Sequence, residues 1–341
     1  MTKNIDLTNK RIVISRTDSI GDVMLTLPLC AWIKQKFAGV QILFLGNNYT
    51  KSVIECFSAI DEIVDWREIE NLPTVQRVEF LKNLQADAFV HVFPRKEIAA
   101  LAKKAKIPVR VGTSHRTFHL LTCSHRPSFT RKKSVLHESQ LNFELLRPFG
   151  LTEIPSLEEM SDFTKLFNPP VQNLPPAITT KLNGAGKNII LHPKSQGSAV
   201  EWPLEKYNQL AQELQKKGHT VFFTGTENEG IIFRSHITFT ENIIDTSGKL
   251  SLTELITFIS KCDTLIACST GPLHIAGFLN RQTIGLFSPR RPIHSGRWKA
   301  LGSNVHILVN DEKCDVCQKG KSCNCIEKIE VDKVLEIIER K

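Results

Sequence analysis

Arg16-Thr17-Asp18-Ser19-Ile20-Gly21-Asp22 follows the apolar run Arg11–Ser15 and leads into a second apolar pattern, Val23, Met24, Leu25 and Leu27. A run of buried-strand length, a polar loop with a glycine, then helix-period hydrophobicity is how an α/β unit begins. The same order recurs far down the chain. Ser269-Thr270-Gly271-Pro272-Leu273-His274 follows the run Thr264–Cys268 and opens onto Ile275 and Ala276. In parallel α/β sheets ligands collect beyond the carboxyl ends of the strands, which is where both loops would stand.

Working outward, the first half alternates short runs rich in Ile, Val and Phe with helix-length segments. The strand runs are Arg11–Ser15, Gln41–Gly46, Glu62–Trp66 and Ala88–Phe93, and the helical ones Val23–Phe37, Thr74–Gln85 and Ser134–Phe149. Continuously apolar strands between helices predict a parallel sheet covered on both faces. Glu153 to Gly186 holds five prolines and a Gly-Ala-Gly, and reads as a connection. The alternation resumes with Asn188–His192, Thr220–Thr224, Asn242–Asp245, Thr264–Cys268 and Thr283–Phe287. Pro203–Gly218 and Ser251–Lys261 are helices among them. The division expected is 1–170 and 171–341, with the closing helix Val331–Arg340 free to pack back on the first domain.

The 341 residues suffice for two domains, each with its own core. No apolar run reaches the roughly 20 residues of a membrane-spanning helix, and Met1 to Lys10 lacks a signal peptide's apolar stretch. A cytoplasmic protein is the expectation, and nine scattered cysteines agree with it. The formal charge of +9 is localised: Ile98 to His137 has no acid and nine cations. They are Lys103, Lys104, Lys106, Arg110, Arg116, Arg126, Arg131, Lys132 and Lys133, and the rest of the chain sums to zero. Such a stretch is either a solvated basic face or a surface for an anionic partner.

Asp22 has two readings. It is an N-cap accepting backbone N–H bonds, or a general base taking a proton from an attacking hydroxyl, with Asp18 and Ser19 as substitutes on the same loop. The Ser269-Thr270-Gly271 turn is either a routine strand–helix junction with a buried His274, or a phosphate site at a helix N-terminus. The acid-free run from Thr264 to Asn310, with Arg281, Arg290, Arg291, Arg297 and Lys299, favours phosphate. Lys194 and Ser195, after the run Asn188–His192, could touch the same phosphate. Glu227 is either a solvated loop acid or the partner of a ribose hydroxyl. Cys314, Cys317, Cys323 and Cys325 satisfy the count for a structural zinc, or are four reduced thiols in a loop.

Arg-Thr-Asp-Ser-Ile-Gly-Asp-Val-Met-Leu-Thr-Leu-Pro (16–28) resembles the N-terminal signature of glycosyltransferase family 9, the heptosyltransferase type. The resemblance continues in order through His192-Pro193, Glu201-Trp202-Pro203-Leu204, Ser269 to Ala276, Gly285-Leu286-Phe287-Ser288-Pro289 and the terminal cysteines. It implies an α/β GT-B fold, two Rossmann-like domains facing across a cleft. It further implies inverting transfer of heptose from ADP-heptose to the lipopolysaccharide inner core. Under it Asp22 is the base, Thr270, Gly271 and His274 lie in the donor-phosphate loop, and Glu227 is near the ribose. Ser269 stands where the family often has Asp, and Val200 where it often has a basic residue; Lys194 is the nearest cation to replace the latter. The chemistry requires no cofactor or catalytic metal.

The basic stretch falls in the acceptor domain, where Arg110, Arg116 and Arg126 would meet an anionic lipopolysaccharide core and an anionic membrane surface. A relative using another nucleotide-sugar for a different envelope glycan shares these features. A non-catalytic anionic-ligand or nucleic-acid-binding protein is a separate class. With only Phe118 and Phe129 in the stretch to stack on bases, no nucleic-acid partner is expected.

Overall fold

The computed structural model describes residues 4–131, 134–183 and 186–340. Lys132 and Lys133 of the basic stretch, and Gly184-Ala185 of the connection, lie outside them. The chain divides into two compact units, Met1–Asn168 and Pro169–Lys341.

The first unit is built on five parallel strands: β1 (Arg11–Ser15), β2 (Gln41–Gly46), β3 (Glu62–Asp65), β4 (Ala88–His91) and β5 (Val109–Val111). Their order is β3-β2-β1-β4-β5. Val13 of β1 pairs with Leu43 on one side and Phe89 on the other, and all three are fully buried. The chain builds outward from β1 through β2 and β3, then returns to β1's other edge. That reversal makes a switch point at the carboxyl ends of β1 and β4.

Several elements end sooner than the apolar runs suggest. The Asp65 side chain accepts the Arg67 N–H and starts a helix, so Trp66 leaves the strand. The helix expected over Val23–Phe37 is two, Ile20–Met24 and Leu27–Lys36. Pro28 lacks an N–H, and the Thr26 hydroxyl donates to the Asp22 carbonyl at 2.9 Å, so the ladder restarts there. Ser134–Phe149 resolves into the helix Glu138–Phe143 and a 3₁₀ segment, Glu144–Phe149, which contains Pro148 and stops at Gly150, φ +84°. The first part of the expected connection belongs to this unit. Ser58 N–H donates to the Leu166 carbonyl, and Asn168 N–H to Cys56 at 2.7 Å.

The second unit has six parallel strands: β6 (Asn188–His192), β7 (Thr220–Phe223), β8 (Ile243–Asp245), β9 (Thr264–Ala267), β10 (Gln282–Leu286) and β11 (Val305–Leu308). Their order, β11-β10-β9-β6-β7-β8, puts the switch point between β6 and β9. The closing helix Val331–Glu339, offered above to the first domain, places Val334 and Ile338 in this unit's core with Tyr207, Leu210 and Leu214. Trp202 anchors the same region, its indole N–H donating to the Ile329 carbonyl at 3.0 Å. No helix among the described residues is long and apolar enough to cross a membrane.

Candidate active site

Arg16 leaves the end of β1 with its side chain only 3% exposed, and three carboxylates surround it. It donates to Asp18 Oδ1 at 2.7 Å, to Asp22 Oδ1, and to Glu138 Oε1 and Asn142 Oδ1 at 3.4 Å. Burial alone would lower the Arg16 pKa, but Asp18, Asp22 and Glu138 hold it above the ordinary guanidinium range. A second cation closes the network. Arg131 donates to Glu138 and Asn142, each at 2.8 Å, and to the Val92 carbonyl beyond β4. The cluster thus sits at the first sheet's switch point.

Asp22 is not an N-cap. Ser19 occupies that position without a side-chain cap bond, and Asp22 lies inside the helix Ile20–Met24. Its Oδ1 accepts from Arg16 and its Oδ2 from the Ser19 hydroxyl, which fixes the plane of the carboxylate. Burial pushes Asp18 up to about 6; Arg16 opposes that rise and the charge of Asp22 adds to it. Asp18 therefore takes up a proton close to neutral pH.

Sequence reasoning passed over four participants here. Glu138 is the first acid after the acid-free stretch, a signal of sorts, while Asn142 gives none. Arg131 is one of nine cations in that stretch, yet the ion pair with Glu138 sets it apart from Arg110, Arg116 and Arg126. His91 ends β4 fully enclosed, and burial, helped by His119 and Arg110, lowers its pKa to about 3. Among the described residues, neither His91 ring nitrogen, nor the hydroxyls of Ser15 and Thr17, has a hydrogen-bond partner. An unmatched buried polar atom costs about 1–3 kcal/mol, which sets these groups at the carboxyl ends of β1 and β4 apart from the satisfied polar atoms around them.

The basic trio separates. Arg110 donates to the Thr122 carbonyl at 2.7 Å and to Ile107, closing a turn rather than pointing free. Arg126 donates to the Cys123 carbonyl at 2.7 Å. Arg116 is exposed at the start of the helix Thr117–Thr122, which also exposes Leu120 and Leu121 at 57% and 76%.

In the second unit, the loops after β6 and β9 meet at the switch point, where the Ser198 hydroxyl donates to the Ser269 carbonyl at 3.3 Å. Thr270 sits at the N-cap of the buried helix Gly271–Phe278, with no side-chain cap bond. Its hydroxyl is buried and without a partner among the described residues, at the helix end whose first-turn N–H groups lack internal acceptors. His274 is enclosed one turn on. Lys194 is ion-paired with Glu201, whose other oxygen takes the Ser195 N–H and hydroxyl at 2.8 Å. Lys194 and Ser195, the two residues expected as additional phosphate contacts, are thus tied to one carboxylate. Glu227 is ion-paired: Arg234 holds it by a two-pronged contact at 2.5 and 2.9 Å and also holds Asp245 at 2.7 Å. The sulfurs of Cys314, Cys317, Cys323 and Cys325 lie within 4.8 Å of one another.

Two parallel α/β sheets in tandem, each with a switch point at the carboxyl ends of its strands, make the GT-B fold. A family 9 glycosyl transferase structure from Veillonella parvula matches with TM-score 0.79 at 19% identity, covering 99% of this chain and 98% of that one. The structure of E. coli ADP-heptose LPS heptosyltransferase II matches with TM-score 0.70 at 17% identity, over 96% and 97%. A Haemophilus influenzae protein provisionally named a glycosyltransferase is 26% identical over 334 residues, 96% of this chain and 95% of that one. The model of glycosyltransferase family 9 (heptosyltransferase) matches residues 78–327, and the chain belongs to that family. It is a glycosyltransferase enzyme. The matched span holds the Thr270 and cysteine loops and begins after Asp22.

Proposed function

We propose that this enzyme transfers heptose from ADP-heptose to a hydroxyl of the lipopolysaccharide inner core, inverting the anomeric carbon. The observation that carries the donor half is the buried, unpartnered Thr270 hydroxyl at the start of the helix Gly271–Phe278. A diphosphate oxygen there satisfies the hydroxyl and the free N–H groups at once, with the helix dipole favouring its charge. Ser269, Gly271 and His274 shape that loop, Lys194 and Ser195 border it, and Glu227 with Arg234 stands after β7 for the ribose.

Asp22 takes the acceptor proton. Arg16 and Ser19 each hold one of its oxygens, so the carboxylate, with a lone pair left on each oxygen, is oriented before substrate arrives. As the acceptor oxygen bonds to the anomeric carbon, the bond to the diphosphate breaks on the opposite face. The negative charge growing on the leaving group is met by N–H and hydroxyl donors already in place. Arg116 and the exposed Leu120 and Leu121 lie in the acceptor-side unit, suited to an anionic lipid-borne acceptor and to peripheral contact with the inner membrane.

Calorimetry with ADP, UDP, GDP and CMP, and with their sugar conjugates, tests the reading. ADP and ADP-heptose are expected to bind tightest. Thr270→Val, which keeps the shape, should weaken ADP by about tenfold, the worth of one hydrogen bond to a charged acceptor. Preference for another nucleotide moves the enzyme to a different glycan. Binding of none removes the loop from donor recognition.

A further inference from the structure

Residues 314–325, after β11, form a one-turn helix, Asp315–Gln318, and a loop with little apolar interior of their own: Val316 is 43% exposed. Yet the loop brings four thiols together. Cys314 Sγ stands 3.7 Å from Cys323 Sγ, which is 3.2 Å from Cys325 Sγ, and all four sulfurs fall within 4.8 Å. Four thiolates around zinc, with Zn–S of about 2.3 Å, place sulfurs about 3.8 Å apart. None of the four is in a disulfide. Cys317 and Cys325 are buried while Cys314 and Cys323 are half-exposed, which leaves an ion a way in.

The loop also grips its neighbour. The Arg291 N–H donates to the Cys317 carbonyl at 3.1 Å, Arg290 Nε to the Gly320 carbonyl at 3.1 Å, and Arg291 Nε to Gln318 at 2.7 Å. Ser288 Oγ lies 3.7 Å from Cys317 Sγ. The segment so held, Ser288–Arg291, leaves the carboxyl end of β10, next to β9 and its Thr270 loop.

From this we infer that Cys314, Cys317, Cys323 and Cys325 bind one Zn²⁺ as a closed tetrathiolate, which fixes the Ser288–Arg291 loop and its two arginines beside the nucleotide loop. Binding displaces the thiol protons to solvent, changes no oxidation state, and leaves no open coordination position, so the ion's part is structural. The positioning half rests on the donor reading above; the metal site does not.

The test uses the full chain purified under reducing conditions without added chelator. Elemental analysis is expected to give one zinc per chain. A mercurial titrant with a colorimetric zinc indicator should release it from the folded protein, with a fall in Tm. Cys317→Ser and Cys323→Ser should each lose the metal; the second, at a half-exposed position, covers the case in which the first does not fold. Absence of zinc, iron in its place, or disulfides under these conditions overturns the site. ADP affinity is then compared before and after release. A drop of about tenfold or more supports positioning, and equal affinity overturns that half. If the zinc-loaded protein binds no nucleotide, the donor reading fails while the zinc stoichiometry still decides the site.

Discussion

Asp22 and Asp18 share one guanidinium and are held differently. Both Asp22 oxygens are occupied by donors that orient it, so Asp22→Asn is expected to lower kcat by about 10²–10⁴ with Tm nearly unchanged; full turnover would remove it from the mechanism. Asp18 stores the strain. It holds its proton up to about pH 6 in the native state, against 3.8 ordinarily. Between those values the folded chain binds more protons than the unfolded one, so stability falls as pH rises through that window. Asp18→Asn, neutral throughout, should raise Tm at pH 7.5 by the equivalent of at most about 3 kcal/mol and lose that gain near pH 4. Equal Tm shifts at both pH values would mean the carboxylate is not strained. The sequence made Asp22 legible through its place after β1. It could not show Arg16 at the centre, because that depends on Glu138 arriving from 122 residues away.

At the scale of elements, the central strands were readable because they are buried on both faces and run as uninterrupted Ile, Val and Phe. The edge strands β5 and β11 were not, since Val109–Val111 and Val305–Leu308 are short and largely half-exposed, with Arg110 and His306 inside them. Lys194 and Glu227 drew attention by position, and their pairing with Glu201 and Arg234 depends on side-chain direction, which spacing does not encode. The helix Gly271–Phe278 was legible by its motif, but its seat was not. A Cβ at Gly277 would overlap the Leu301 carbonyl oxygen and lie 3.0 Å from the Ala300 Cβ. Gly277→Ala must therefore shift the helix, at a cost of about 1–3 kcal/mol. Tm should fall and ADP affinity with it; an unchanged pair would mean the helix is less firmly seated than its packing indicates.

For the whole molecule, the charge of +9 is accounted for by one stretch of the first unit. Among its described residues Lys103, Lys104, Lys106, Arg116 and Arg126 are exposed, on the same unit as Leu120 and Leu121. Each cation near an anionic bilayer contributes about 1 kcal/mol, screened by salt. The enzyme is expected to float with vesicles containing anionic lipid at low salt and to be released at about 0.5 M salt. Replacing Leu120 and Leu121 by Ser should weaken what salt leaves; no flotation, or equal flotation with neutral vesicles, would overturn the surface. The Arg16 network has a further consequence, for time rather than place. Arg16 and Asp22 are neighbours in sequence, but Glu138 and Asn142 join only when the chain closes a loop of more than a hundred residues, among the slower events in folding. Until then Arg16 and Ser19 hold Asp22 by contacts local in sequence, while the guanidinium itself lacks the Glu138 and Asn142 acceptors that anchor it in the finished fold.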